Sequence, residues 1–234
     1  MNALITGASR GLGEALARAL ANQGFGLVLD ARGATELEAV AASLSAKTAV
    51  VAVAGSVAEP AHRAALIAAA SSLGGLDLLV NNASILGPSP QPTLAEYPLD
   101  VLGRLYDINV LAPLGLAQLA LPLLRSSRQG TIVDITSDAA VEGYEGWGGY
   151  GSSKAALEQL SNVFAAEQPD LRVYRFDPGD MRTRMHQEAF PGEDISDRAT
   201  PDEVAVPALL RLLEERPTSG RYRANELVGE AVPR

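Results

Sequence analysis

Thr6-Gly7-Ala8-Ser9-Arg10-Gly11-Leu12-Gly13 joins a short apolar run, Ala3 to Thr6, to a helical pattern, Gly11 to Asn22. In the second segment Leu12, Ala15, Leu16, Ala19 and Leu20 recur on one face of a helix, whereas Ala3 to Thr6 reads as a buried strand. A glycine-rich turn between strand and helix offers bare backbone N–H groups and the positive end of the helix dipole to an anion. The missing side chains of Gly7, Gly11 and Gly13 let a pyrophosphate approach the backbone, with Ser9, Arg10 and Leu12 as further expected contacts. The spacing is G-x-x-x-G-x-G rather than the commoner G-x-G-x-x-G of dinucleotide folds. Its position at the first strand-to-helix turn makes it a dinucleotide-binding loop.

The alternation continues along the chain. Further strands are expected at Gly26–Asp30, Thr48–Val53, Leu76–Asn81, Thr131–Thr136 and Leu171–Phe176, with an edge strand at Arg221–Arg223. Helices are expected from about Thr35 to Leu44, Pro60 to Leu73, Leu99 to Leu124, Gly149 to Ala166 and Asp202 to Glu214. Repeated β-α order implies a parallel sheet with helices on both faces. The expected fold is a Rossmann-type doubly wound α/β/α sandwich, in one domain covering 1–234. Residues 179–200 lack clean periodicity and are the candidate substrate loop or lid.

Composition removes several classes of function. A formal charge of −9 without a basic run argues against nucleic-acid binding. The absence of cysteine excludes disulfides and thiolate metal sites, and two histidines, His62 and His186, are too few for a histidine-rich metal centre. Both histidines read as bystanders. Met1-Asn2 enters the first strand without a basic leader, and the apolar run from Val110 to Leu124 contains Pro113, Gln118 and Pro122. That run reads as too short for a bilayer, so a cytoplasmic protein without membrane contact is expected.

The end of the second strand decides which dinucleotide fits. A carboxylate there favours the ribose diol of NAD, and a cation favours the 2′-phosphate of NADP. The chain has Leu29-Asp30-Ala31-Arg32, and Asp30 falls one position early for the diol. Arg32 and Arg10 can converge on a phosphate. NADP(H) is favoured, with NAD(H) as the alternative.

Lysine occurs only twice against seventeen arginines, and one of the two, Lys154, follows Tyr150 by four residues. On a helix these positions share a face. A charge about 4 Å from a phenolate, at an effective dielectric near 20, is worth roughly 4 kcal/mol. That is enough to draw a tyrosine from about 10 toward 7, less whatever desolvation returns. Tyr150 is therefore expected to be an acidified general acid or base.

These motifs, in this order, resemble the short-chain dehydrogenase/reductase family across nearly the whole chain. Besides the glycine loop, Asn81-Asn82-Ala83-Ser84 resembles the family's Asn-Asn-Ala-Gly element, with Asn81 and Ala83 as expected cofactor neighbours. Asn109, Ser137, and Pro178-Gly179 followed by Thr183 resemble its helix asparagine, catalytic serine and nicotinamide-side motif. The resemblance implies that Tyr150 exchanges a proton with the substrate oxygen while Ser137 hydrogen-bonds it. It implies that Lys154 holds the nicotinamide ribose and that Asn109 binds a water linking Lys154 to solvent. Gly55-Ser56-Val57 lacks the adenine-contacting aspartate common in the family, and Asp138 adds a carboxylate beside Ser137. Family members commonly pair through their fourth and fifth helices, so a homodimer or homotetramer is expected.

Leu86, the loop from Tyr144 to Trp147, and Met181, Met185 and Phe190 are expected to wall the substrate pocket, or else to anchor the loop. The expected activity is NADPH-dependent reduction of a ketone or aldehyde. The alternatives are an NAD-linked alcohol dehydrogenase and a dinucleotide-sensing regulator that does no chemistry.

Overall fold

The computed structural model describes residues 1–229. Strands β1 (Asn2–Ile5), β2 (Gly26–Ala31), β3 (Val50–Ala54), β4 (Leu78–Asn81), β5 (Thr131–Ile135), β6 (Arg172–Asp177) and β7 (Gly220–Arg223) form one sheet. Its order is β3-β2-β1-β4-β5-β6-β7, and every neighbouring pair is parallel. The fold is Rossmann-like. Because β1 lies between β2 and β4, the chain winds away from it in both directions and opens a crevice at the strand ends there.

Side-chain alternation divides the core into two layers. Ala3, Ile5, Leu27, Leu29, Val80, Val133 and Phe176 face helices α1 (Gly11–Asn22), α2 (Ala34–Leu44) and α8 (Ala205–Glu215). Their neighbours Leu4, Val28, Leu79, Ile132 and Val173 face α3 (Pro60–Ser72), α5 (Ala112–Ser126) and the Phe164 side of α6 (Gly148–Glu167). A one-residue slip in any central strand would exchange these layers, so register is tightly specified.

The helix expected from Leu99 to Leu124 runs to Ser126 but is not uniform. It comprises α4 (Leu99–Tyr106), a π turn at Asp107–Leu111, and α5. Pro113 has no N–H to give the carbonyl of Asn109 four residues earlier, and the helix widens over that stretch. At 28 residues, this helix is by length and composition alone long and apolar enough to cross a bilayer. The expectation that it is too short is therefore corrected. What occupies it is the fold: Leu116, Ala120 and Leu124 are buried against the sheet and α3. The 179–200 stretch also proves less irregular than its sequence suggests, containing α7 (Arg184–Ala189) capped by the Thr183 hydroxyl, which accepts from His186 N at 3.3 Å. A short α9 (Ala224–Leu227) follows β7.

Candidate active site

The glycine loop is held by close backbone contact. Gly7 and Gly11 take φ values of +67° and +58°, which residues with a Cβ rarely adopt. The Thr6 hydroxyl accepts from the backbone N–H groups of Asn82 and Ala83, both at 2.9 Å, and the Asn82 amide donates to the Thr6 carbonyl at 2.8 Å. Thus the loop after β1 and the turn after β4 form one unit. A Cβ on Gly13 would lie 2.4 Å from the Gly7 oxygen and 2.6 Å from the Asn82 amide nitrogen. Gly13 therefore admits the loop to the helix; unlike Gly7 and Gly11, it does not line the cavity.

Asp30 explains another part of the loop. It is buried, accepts from Gly7 N at 3.4 Å, and meets His62 Nε2 at 2.6 Å. His62 is therefore no bystander: it supplies the partner that a buried carboxylate requires. Burial raises the Asp30 pKa, and the His62 hydrogen bond works against that rise. Gly55 leaves room for the imidazole, since a Cβ there would lie 2.3 Å from His62 Nδ1.

A cavity of about 1300 Å³ runs from this loop across the strand ends. One end is lined by Ser9, Arg10, Gly11, Leu12, Arg32 and Glu36, and the other by Ser137, Trp147, Tyr150, Lys154, Met181 and Met185. Ala83, Pro178, Gly179 and Thr183 line it between those ends. Among the described residues, neither Arg10 nor Arg32 has an ion-pair partner, and α1 begins without a side-chain cap. Free first-turn N–H groups and two unpaired guanidinia suit a phosphorylated ligand.

At the reaction end, Tyr150 and Lys154 are buried on α6, with the ammonium 5.5 Å from the phenol ring centroid. Lys154 donates to the Ile135 carbonyl at 2.8 Å. Burial lowers its pKa to about 8, against the attraction of Asp134 and Glu158. Asp134 lies wholly inside the protein, where burial raises its pKa; Ser161 and Asn81 donate to it and Lys154 lowers it in turn.

The expected acidification of Tyr150 does not hold in this state. Burial raises its pKa well above the usual phenol range, Asp177 and Asp138 raise it further, and a hydrogen bond with Ser84 opposes them. Lys154 is not among the groups that lower it; its ammonium donates to the Ile135 carbonyl and is attracted by Asp134 and Glu158. Ser137 donates to Asp138 Oδ1 at 2.9 Å, while the Tyr144 hydroxyl donates to Oδ2 at 3.0 Å.

Together these features single out one family. The model of the short chain dehydrogenases matches residues 1–194. The chain belongs to the short chain dehydrogenase family. It is 31% identical to a benzil reductase ((S)-benzoin forming) of Saccharomyces cerevisiae, over 98% of this chain and 86% of that one. It is 32% identical to a benzil reductase ((S)-benzoin forming) of Bacillus subtilis, covering 93% of this chain and 95% of the relative. A solved short chain dehydrogenase from Shigella flexneri, complexed with NADP, superposes with a TM-score of 0.85 at 30% identity. That comparison covers 95% of each chain.

Within this short chain dehydrogenase, two further residues make protein contacts that their motifs did not reveal. Asn81 does not line the cavity; it donates to Asp134 at 2.7 Å, which supports the floor beneath Lys154. The Asn109 amide is fully engaged by protein. Its oxygen accepts from Ile85 N and the Ser84 hydroxyl at 2.9 and 3.1 Å, and its nitrogen donates to the Ile85 carbonyl and Ser153 at 2.9 and 3.0 Å. All four bonding positions of the side chain are thus taken by protein groups. Its observed part is to fasten the turn after β4 to α6. Thr6, Asn82, Asp134 and His62 were not singled out by the motifs. Thr6 and Asn82 lie inside quoted motifs, and a buried carboxylate in an apolar strand was the available signal for Asp134.

Proposed function

We propose that this protein reduces a ketone or aldehyde with NADPH, Tyr150 serving as general acid. The observation that carries the reading is a single cavity with phosphate-binding chemistry at one end and Tyr150, Lys154 and Ser137 at the other. Arg10 and Arg32 would receive the 2′-phosphate, with Glu36 as the opposing carboxylate on that wall. When bound, the cofactor supplies a hydride. The raised Tyr150 pKa keeps the phenol protonated through the neutral range, which suits proton donation to a carbonyl oxygen better than removal from an alcohol. Ser137, once its hydroxyl turns from Asp138, would hydrogen-bond the same oxygen. Lys154 would hold the ribose through its ammonium.

The substrate end is bounded by Leu86, Trp147, Met181, Met185 and Phe190, with Trp147 and Phe190 ring centroids 5.7 Å apart. This apolar wall suits an aromatic carbonyl compound. Benzil, named for two relatives, is the substrate to assay first. With benzil and NADPH, Tyr150→Phe should lower turnover by about 100- to 10,000-fold. Turnover at the wild-type level would remove the acid assignment. The reading includes a homodimer or homotetramer through α5 and α6, where Leu119 and Val163 are exposed; sedimentation of the intact protein tests it.

A further inference from the structure

Arg221 stands on edge strand β7, beyond the residues that match the family model and off the cavity wall. Its guanidinium nevertheless reaches the structures that carry the reaction end. Nε donates to Glu158 Oε1 at 2.9 Å, and Nη2 donates to the Ser137 carbonyl at 3.1 Å and to Asp177 Oδ2 at 3.0 Å. Those acceptors belong to α6, the turn that follows β5 and the end of β6.

Each acceptor leads onward. Glu158 also accepts from the Thr136 hydroxyl at 2.7 Å, next to Ser137. Asp177 also accepts from Gly179 N at 3.1 Å, fixing the turn that lines the cavity after β6. Glu158 lies one helical turn beyond Lys154 and two beyond Tyr150. The side chains of Arg221, Glu158 and Asp177 are 19%, 14% and 7% exposed, so water does little to weaken these charges. Arg223 approaches Asp177 at 3.8 Å, but from a more exposed position.

We propose that Arg221 is a positioning residue for carbonyl reduction, locking Ser137, the Tyr150 helix and the Pro178-Gly179 turn into one alignment. This rests on the function proposed above. The planar fork is essential to the argument: a lysine brings the charge but cannot hold three divergent acceptors in one plane. Asp177 bears on the acid itself, since its charge is among those that raise the Tyr150 pKa.

The test compares wild type, Arg221→Lys, Arg221→Met and Tyr150→Phe, using benzil with NADPH and measuring NADPH affinity separately by fluorescence. Misplacing reacting groups by about 1 Å costs roughly 100-fold in rate, and that loss in kcat is expected for Arg221→Met. Its NADPH affinity should stay within about twofold of wild type, because Arg221 does not itself line the cavity and the Ser137 and Asp177 it holds lie at the reaction end, away from Arg10, Arg32 and the glycine loop. Arg221→Lys should recover part of the rate. A wild-type kcat in Arg221→Met, or NADPH affinity falling in step with kcat, would overturn the proposal. If Arg221→Met does not fold, Arg221→Lys decides: a wild-type kcat overturns it, and a reduced kcat with intact NADPH affinity supports it. Should Tyr150→Phe retain full turnover, the functional reading itself fails and this one with it; loss there beside full activity in the Arg221 variants defeats this proposal alone.

Discussion

The two ends of the cavity are held in different ways. The phosphate end relies on absent atoms: Gly7 and Gly13 bring backbone against backbone, and Thr6 and Asn82 close the contacts with neutral hydrogen bonds. The reaction end relies on buried charge, with Lys154 above Asp134, and Arg221 between Glu158 and Asp177. Close packing resists added volume but is indifferent to pH. A charge network tolerates small changes of shape but responds to every charge removed. The difference is open to direct attack.

The largest effect is expected from Gly13→Val. Its Cβ would fall 2.4 Å from the Gly7 oxygen, a backbone atom that cannot swing aside. Overpacking of this kind costs about 1–3 kcal/mol, and NADPH binding should be lost with the loop. Thermal unfolding and fluorescence titration check both. Gly103→Ala, with nothing within 4 Å of the added Cβ, is the control and should unfold no earlier than wild type.

Lys154→Met should lower turnover by roughly 100-fold, the scale of misplacing a reacting group, because Lys154 would hold the nicotinamide ribose. The wild-type pH profile carries the same information. With a pKa lowered to about 8, the ammonium is present below that value and lost as pH rises through it. Carbonyl reduction and NADPH affinity should both decline above about pH 8, and the corresponding step should vanish in Lys154→Met. Arg32→Ala should weaken NADPH by about tenfold, the scale of one charge-assisted hydrogen bond, and leave NADH unchanged. Equal loss for both nucleotides would remove the 2′-phosphate argument.

The same contrast governs what could be read from sequence. Glycines that permit a close approach are visible as letters, so the loop and the parallel, doubly wound sheet follow from Thr6 to Gly13 and the β-α alternation. Charge partners distant in the chain are not visible in that way. Nothing local connects Asp30 with His62, Asp134 with Lys154, or Arg221 with Ser137, and each pairing exists only once the sheet has formed. The expected acidification of Tyr150 misses for this reason, though its place as general acid does not depend on it. Spacing placed a cation beside the phenol, but the burial and the carboxylates of Asp138 and Asp177 that outweigh it come from other strands. Asn109 likewise matched a motif, while its four bonding partners depend on the π turn ahead of Pro113.

The smallest effect is the most diagnostic of the charge network. Asp138→Asn keeps the shape around Ser137, because an amide oxygen can still accept from the Ser137 hydroxyl and from Ala139 N, now at 2.9 and 2.8 Å. The amide nitrogen can donate to the Tyr144 hydroxyl, which at present donates to Asp138 Oδ2. Only the charge disappears. Asp138 is one of the groups that raise the Tyr150 pKa, so its removal lowers that pKa, while burial, the larger cause, keeps it above the usual phenol range. A phenol that ionises earlier stops serving as a proton donor earlier. The part of the high-pH decline in benzil reduction that belongs to Tyr150 should therefore move to lower pH, while the step near pH 8 that belongs to Lys154 stays in place. Turnover near neutrality should change less than about threefold, because the phenol remains protonated there in both proteins. A decline that moves upward, or a neutral rate as low as that of Tyr150→Phe, would show that Asp138 acts through contact with the substrate and not through its field at the phenol.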